Sequence, residues 1–470
     1  MSDKKEKAVI VGGGLVGALE ACFLAKRGVE VHLYEYRDDI RNMEHVAGKS
    51  INLSLSVRGR AALAHLGLDL HLTQDYGIPM RARMIHPIQG HTYAVPYGKE
   101  DQCIYSVGRR YLNELLLDAG EKFPNLHYHF NYKLTYLDVE SGEMVFQSHD
   151  VEHKIQSDMV LGCDGAFSNV RKALMRKTRF DFSQEYIPHA YLELCIPPTQ
   201  GGEFAMPPNY LHIWPRGNFM MIALPNQDKS FTVTLFMPFE TFDAITDDTS
   251  LLDFFLANFP DSIPLIGQAR LIEDYFNIKP SPLVSIKCSP YNYQDKVLIL
   301  GDAAHAMVPF YGQGMNCGME DVLILDQYLD KYPQSRLKAF EEYSRTRNID
   351  AKAMCDLAMY NYIEMRDLVA KPSFWIRKRL DSFLHWLMPT SWVPLYTSVT
   401  FSRMRYHQCI ANRNWQDQTL SGLASVFLCL SGGSVVALCV LSAFVRNPHW
   451  LERLQWLREP LAVFPQRVLR

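Results

Sequence analysis

The chain lacks the basic excess of a nucleic-acid-binding protein. It has 48 Lys and Arg against 51 Asp and Glu, a net charge of -3, so no surplus is available to neutralise a phosphate backbone. Its ten cysteines include no Cys-x-x-Cys pair, the nearest two being Cys429 and Cys439. That spacing excludes the usual zinc and dithiol motifs and any dense disulfide framework, and a reducing compartment is expected. The polar start Met1-Ser-Asp-Lys-Lys-Glu-Lys7 lacks the apolar stretch and small-residue cleavage site of a secretory signal. Charge is missing altogether from Leu420 to Val445, 26 residues without Asp, Glu, Lys, Arg or His. As a helix this run would reach about 39 Å, so a C-terminal transmembrane anchor is expected over 420–445, followed by a tail over 446–470. Arg403, Arg405 and Arg413 before the run balance Arg446, Arg453 and Arg458 after it, so charge sets no orientation. Ser382–Phe401 also has no Asp, Glu, Lys or Arg, but His385, Pro389 and Pro394 favour a protein-packed helical region.

What is present is an ample core. A chain of 470 residues with 48% hydrophobic content predicts two or three domains. Ala8–Val11, the glycine turn 12–17, Ala18–Lys26 and Val29–Tyr34 read as strand, turn, helix and strand, one βαβ unit. Pro-bounded, β-rich runs follow later, among them Tyr210–Trp214, Phe219–Leu224 and Phe231–Phe236. They predict an antiparallel sheet inserted into the nucleotide-binding part. From Gln334 to Lys371 there is no proline, and the composition predicts a long helix between Pro333 and Pro372. The expected fold class is α/β: a Rossmann-like dinucleotide-binding domain (1–75, 98–179 and 285–332) with an inserted antiparallel β-sheet domain (76–97 and 180–284). A helical C-terminal region (333–419) and the transmembrane helix would complete it.

Three segments carry chemistry. Gly12-x-Gly14-x-x-Gly17 follows a strand and opens a helix, and Glu35 ends the next strand 18 residues beyond Gly17. Gly12 permits the tight turn, Gly14 lets a pyrophosphate approach the helix N-terminus, and Gly17 allows close helix packing. Glu35 can accept bonds from ribose hydroxyls. Cys163-Asp-Gly-Ala-Phe-Ser-Asn-Val-Arg171 follows the strand-like Met159–Leu161, and Gly301-Asp302-Ala-Ala-His305 closes another buried run. Singly these are turn and loop signatures. Together, with Pro309-Phe-Tyr-Gly-Gln-Gly-Met-Asn316 just after, they resemble the single-component flavoprotein aromatic hydroxylases. That resemblance implies FAD, with Asp164 and Asp302 in its site and the loop containing Gly314, Met315 and Asn316 along the flavin ring. It extends the cofactor contacts to Leu15, Val16, Arg37, Ser54, Arg109 and Leu134. A helix starting after Gly314 would aim its positive end at the developing anion of the reduced ring.

Further stretches narrow the resemblance: Ile51–Ser56, Gly77–His86, Val95–Gly98 and His305–Asn316 are similar to the branch of that family acting on L-kynurenine. The resemblance implies 3-hydroxylation of L-kynurenine using NADPH and O2 through a C4a-hydroperoxyflavin, with the catalytic part facing the cytosol at the outer mitochondrial membrane. It places the substrate against Arg83, Tyr97, Asn361, Tyr396 and Phe310. These types suit an α-amino acid: Arg83 can fork onto a carboxylate, Tyr97 and Tyr396 offer hydroxyls, and Asn361 offers donor and acceptor. Sequence alone does not choose between Arg81 and Arg83, which share a strand face, and Asn361 alone reads as an exposed helix residue. Ile213, Met220, Ile222, Leu224, Phe236 and Phe310 are candidates for an apolar wall. The flavin does the chemistry, so no catalytic nucleophile, strong base or metal is expected. With no second GxGxxG, NADPH is expected to dock transiently. Two alternatives remain open: a related membrane-anchored flavin monooxygenase acting on another aromatic or lipid substrate, or a non-catalytic prenyl-protein carrier of the same fold.

Overall fold

The computed structural model describes residues 6–44, 52–98 and 102–431. The glycine-turn unit forms as its sequence pattern predicts: strand Lys7–Val11, helix Leu15–Lys26 and strand Glu30–Tyr34. Lys7–Val11 is a near-continuous apolar run because it lies inside a mostly parallel sheet, whereas Glu30–Tyr34 alternates, with Glu30 and His32 only half-buried. Its six strands run in the order Asn292–Tyr293, Val297–Ile299, Met159–Gly162, Lys7–Val11, Glu30–Tyr34 and Leu126–His129. All neighbours are parallel except the short edge strand Asn292–Tyr293. Gly12, Glu35, Cys163-Asp164 and Gly301-Asp302 therefore emerge at the carboxyl ends of adjacent strands, where open α/β sheets bind ligands.

A second sheet of seven strands runs Ser281–Ser289, Asp181–Ile196, Phe231–Pro238, Met220–Pro225, Tyr210–Pro215, Ala82–Ile85 and Tyr93–Pro96. It is antiparallel but for one parallel pairing, Tyr210–Pro215 with Ala82–Ile85, which puts Arg83 opposite Leu211. One face of its central strands packs Leu192, Leu194, Trp214, Met221, Val233 and Leu235 against Phe242, Phe255 and Leu271 of the helices that follow. Alternation leaves Ile222 and Leu224 on the opposite face. The long helix is Arg336–Arg366; it ends at Asp367, and Pro372 opens the next helix at a first-turn position where proline costs nothing.

The described chain forms two compact units. One comprises residues up to Trp375 together with Tyr396–His407, and the other Ile376–Leu395 with the chain from Gln408 on. In the second unit Asp381 accepts from Trp392 Nε1 at 3.0 Å and pairs with Arg377 at 2.9 Å and Arg413 at 3.3 Å, while Asp417 pairs with Arg377 at 2.6 Å.

This corrects the expected anchor. Among the described residues no helix is long and apolar enough to cross a membrane. The uncharged run does not begin a helix of its own: Leu420 falls inside Tyr406–Ser431, whose earlier turns carry the paired Arg413 and Asp417. Residues 432–445 of the expected span, and the tail, lie outside the described residues. The lipid bilayer expected as a partner through this helix is therefore unsupported.

Candidate active site

The glycine turn is closed by contacts that only glycine permits. Gly12 has φ +105°, and a Cβ there would lie 2.5 Å from the Cys163 carbonyl oxygen; one on Gly17 would lie 1.9 Å from the Gly12 oxygen. Around Gly14 there is open space, and as N-cap of Leu15–Lys26 it leaves the first helical N–H groups without a side-chain cap. The Glu35 carboxylate accepts from Gly13 N at 2.7 Å and Arg37 N at 3.0 Å, bracing the turn while lone pairs remain for hydroxyl donors. Leu15 and Val16 point into the apolar core, so what they offer a cofactor is backbone N–H. Arg37 is exposed and bonds the Tyr36 hydroxyl at 2.7 Å. The Leu134 side chain is buried, and its carbonyl accepts from Asn169 Nδ2 at 3.0 Å.

Asp164 caps the helix Asn169–Lys177 through one oxygen, which accepts from Asn169 N at 2.7 Å and Val170 N at 3.2 Å; the other oxygen is buried and has no hydrogen-bond partner among the described residues. Burial raises its pKa against those bonds. Buried Arg171 donates to the carbonyls of Ala303 at 2.7 Å and Ala166 at 2.5 Å, tying the Asp-Gly segment to the Gly-Asp segment. Asp302 is open to the cleft, yet the surrounding protein raises its carboxyl pKa, with the Arg109 charge opposing. Arg109 is itself exposed at the start of Arg109–Gly120.

The loop before the helix Gly314–Lys331 turns at Gly312, φ +63°, where a Cβ would press on Ser54 at 3.2 Å. Asn316 is wholly committed to shaping this loop. Its amide nitrogen donates to the carbonyls of Ser54 and Gly312, both at 2.7 Å, and its oxygen accepts from Ser56 N at 2.8 Å. What Gly314, Met315 and Asn316 present at the helix start is backbone N–H, a site for negative charge. An orphaned Asp164 oxygen, open space over a bare helix end and a second helix start opposite Ser54 fit a dinucleotide with a planar ring, so these residues suit FAD.

Beside this loop lies a cavity of about 50 Å³, lined among others by Ser54, Arg83, Ile222, Leu224, Phe310, Asn361 and Tyr396. Arg83, not Arg81, is the buried member of its pair, at 4% exposure. It pairs with Glu364 at 3.0 Å, reaches the Asn361 oxygen at 3.5 Å and lies 4.3 Å over the Tyr396 ring. Its Nε has no hydrogen-bond partner among the described residues. Burial works against its charge, but Tyr396 and Glu364 outweigh it and raise the pKa. Asn361, 2% exposed, donates to the Phe310 carbonyl at 2.7 Å, so the expectation of an exposed helix residue is overturned by tertiary packing. Tyr97 lies behind the cavity wall, stacked on Tyr396 at 5.3 Å, and Tyr311 stacks on Tyr396 at 5.5 Å. Burial pushes the Tyr97 phenol well above its usual range.

Of the six wall candidates, Ile222, Leu224 and Phe310 line the cavity; Phe236 supports Phe310 edge-on at 4.9 Å, and Ile213 and Met220 are core. Sequence reasoning missed Glu364, Met365, Gln313 and Thr400. Glu364 follows Asn361 by three residues on one helix, a spacing that shares a face and was legible once Asn361 was singled out.

A family model described as an FAD binding domain matches residues 5–358. The kynurenine 3-monooxygenase of Anopheles gambiae is 59% identical over 416 residues, covering 88% of this chain and 85% of its own. The chain belongs to the kynurenine 3-monooxygenase family. The Sus scrofa member is 49% identical over 436 residues, covering 93% of this chain and 91% of its own. A solved 2-methyl-3-hydroxypyridine-5-carboxylic acid oxygenase shares the fold at TM-score 0.63 and 18% identity, covering 79% of this chain and 95% of that one. Family members at these identities support FAD, and NADPH is the usual co-substrate of the family.

Proposed function

We infer that the chain is an FAD-dependent monooxygenase that hydroxylates L-kynurenine to 3-hydroxy-L-kynurenine, consuming NADPH and O2 and releasing water. The observation that carries this reading is the contact between two sites. The cavity holding buried Arg83 is also lined by Gly312 and Gln313 of the ring-facing loop. FAD, held by the Gly12–Gly17 turn, Glu35, Asp302 and the loop before Gly314, would supply hydride uptake from NADPH and oxygen transfer from O2.

The chain's own residues bind, orient and exclude water. Arg83 is proposed to take the substrate carboxylate with its unpartnered Nε and an Nη, supported by the Tyr97–Tyr396–Tyr311 stack. Glu364, already facing Arg83, would hold the α-ammonium group. Asn361 fixes the Phe310 backbone, and Ile222, Leu224 and Phe310 give the aromatic ring a dry wall. The uncapped helix start at Gly314 would favour negative charge on a flavin held there. The aniline nitrogen activates its ortho carbon, so the substrate needs no base from the protein.

The test is a flavin spectrum of the purified chain followed by NADPH oxidation with and without L-kynurenine, with products read by mass. Kynurenine-stimulated oxidation with a product 16 Da heavier supports the reading. Bound flavin without that product points to another substrate, and no flavin points to a carrier.

A further inference from the structure

The Tyr396 segment and the ring-facing loop are far apart in sequence, yet one buried arginine that lines neither cavity nor cleft joins them. Arg58, 1% exposed, sits in the helix Val57–Ala64, directly after the strand that carries Ser54. Its Nε donates to the Val399 carbonyl at 3.0 Å and an Nη donates to the Met404 carbonyl. Those carbonyls bracket the turn that ends the short helix carrying Tyr396 and Thr400. The other Nη lies 3.0 Å from both oxygens of Glu320 on the helix Gly314–Lys331, and the guanidinium stacks 3.9 Å over Tyr406. The Tyr406 hydroxyl in turn donates to Gln313 Oε1 at 3.2 Å, and Gln313 directly precedes that helix and lines the cavity.

The chain of charge continues. Glu320 accepts from Arg347 at 3.2 Å, and Arg347 Nε reaches Asp321 at 2.6 Å. The second Asp321 oxygen accepts from Gly301 N at 2.9 Å and lies 2.7 Å from His305 Nε2, beside Asp302. Two arginines and two carboxylates are thus buried together. Such a set is a poor way to gain stability over apolar packing, but it fixes geometry. Only a planar fork reaches two carbonyls and a carboxylate at once, so lysine would keep the charge and lose the clamp.

We propose that Arg58 is a positioning residue for the hydroxylation site, locking the Tyr396 segment against the helix that presents the ring-facing loop. The proposal rests on the kynurenine reading above. Without the clamp the substrate ring sits loosely, and reduced O2 is released as hydrogen peroxide (NADPH, H+ and O2 giving NADP+ and H2O2) instead of being inserted.

The experiment compares wild type with Arg58→Lys and Tyr406→Phe for FAD stoichiometry, melting temperature, kynurenine KM, kcat and product formed per NADPH. Arg58→Lys should retain FAD, raise KM about tenfold or more and lower product per NADPH, with peroxide making up the difference. Tyr406→Phe, which removes only the bond to Gln313, should shift the same two quantities less. Unchanged KM and coupling in Arg58→Lys, or loss of activity only in proportion to lost FAD, overturns the proposal. If Arg58→Lys fails to fold, unchanged KM and coupling in Tyr406→Phe overturns it instead. A wild type that never hydroxylates kynurenine overturns the substrate reading and this inference with it, whereas an active wild type beside an unaffected Arg58→Lys overturns this inference alone.

Discussion

The cofactor side and the substrate side of this molecule are built by opposite means. The cofactor side is backbone: glycines at 12, 14 and 17, bare helix starts after Gly14 and Gln313, and side chains such as Asn316 and Arg171 spent on holding loops. The substrate side is side chain: a buried guanidinium, a carboxylate, an amide and stacked phenols contributed by residues 83, 364, 361, 97, 396 and 311. A large cofactor with a pyrophosphate can be read by repeated N–H groups at sheet edges. A small amino acid is distinguished only by a few charges and hydroxyls brought from distant segments. Substitutions should therefore fall into two classes, those that empty the protein of flavin and those that leave it yellow but blind to substrate.

The largest effect is expected from Gly17→Ala, whose new methyl would meet the Gly12 carbonyl oxygen at 1.9 Å. Backbone must move, the turn opens, and purified protein should lack flavin absorbance while circular dichroism keeps its mixed α/β signature. Flavin at full stoichiometry would break the comparison. Arg83→Ala comes next: losing a forked carboxylate contact worth about 3 kcal/mol should weaken kynurenine binding roughly 100-fold with FAD retained. Because this also strands Glu364, the Arg83→Ala/Glu364→Gln double variant separates lost attraction from added repulsion, and fluorescence titration of the flavin reads both. Asn361→Ala removes a bond of 2.7 Å to the Phe310 carbonyl and should cost about 1 kcal/mol, a five- to tenfold weaker affinity, again with FAD in place.

The same division explains what sequence could disclose. The glycine turn, its flanking strands and the acid at Glu35 are local, so spacing alone located them, and the strands Tyr210–Pro215, Met220–Pro225 and Phe231–Pro238 were legible from their β-rich runs. Arg83 over Arg81, and Asn361 as a buried rather than exposed helix residue, depend on contacts across more than 250 residues, which no local pattern encodes. Phe236 and Ile213 had the composition of a pocket wall but serve as support and core. The uncharged run at Leu420 misled for the opposite reason: hydropathy was counted within the run, whereas the helix that contains its start is set by residues from Tyr406 onward.

The smallest effect tests whether the helix behind the glycine turn holds a buried charge, as the substrate side does at Arg83. Glu20 is buried in the first helix, with one oxygen lacking a hydrogen-bond partner among the described residues, and burial, reinforced by Asp326, pushes its pKa from 4.5 up to about 8. At neutral pH it is mostly a protonated acid, in contrast to Arg83, which stays charged. In the unfolded chain Glu20 releases its proton near pH 4.5, while the folded chain holds it to about pH 8. Its contribution to stability is thus fully present below pH 4.5, declines as pH rises and is lost through pH 8. Glu20→Gln copies the neutral form at every pH, so its melting temperature should match wild type at pH 5 and exceed it by a few degrees at pH 8, with kynurenine KM unchanged. A wild-type advantage that grows between pH 5 and pH 8 would mean Glu20 is ionised and paired, a buried charge like that of Arg83.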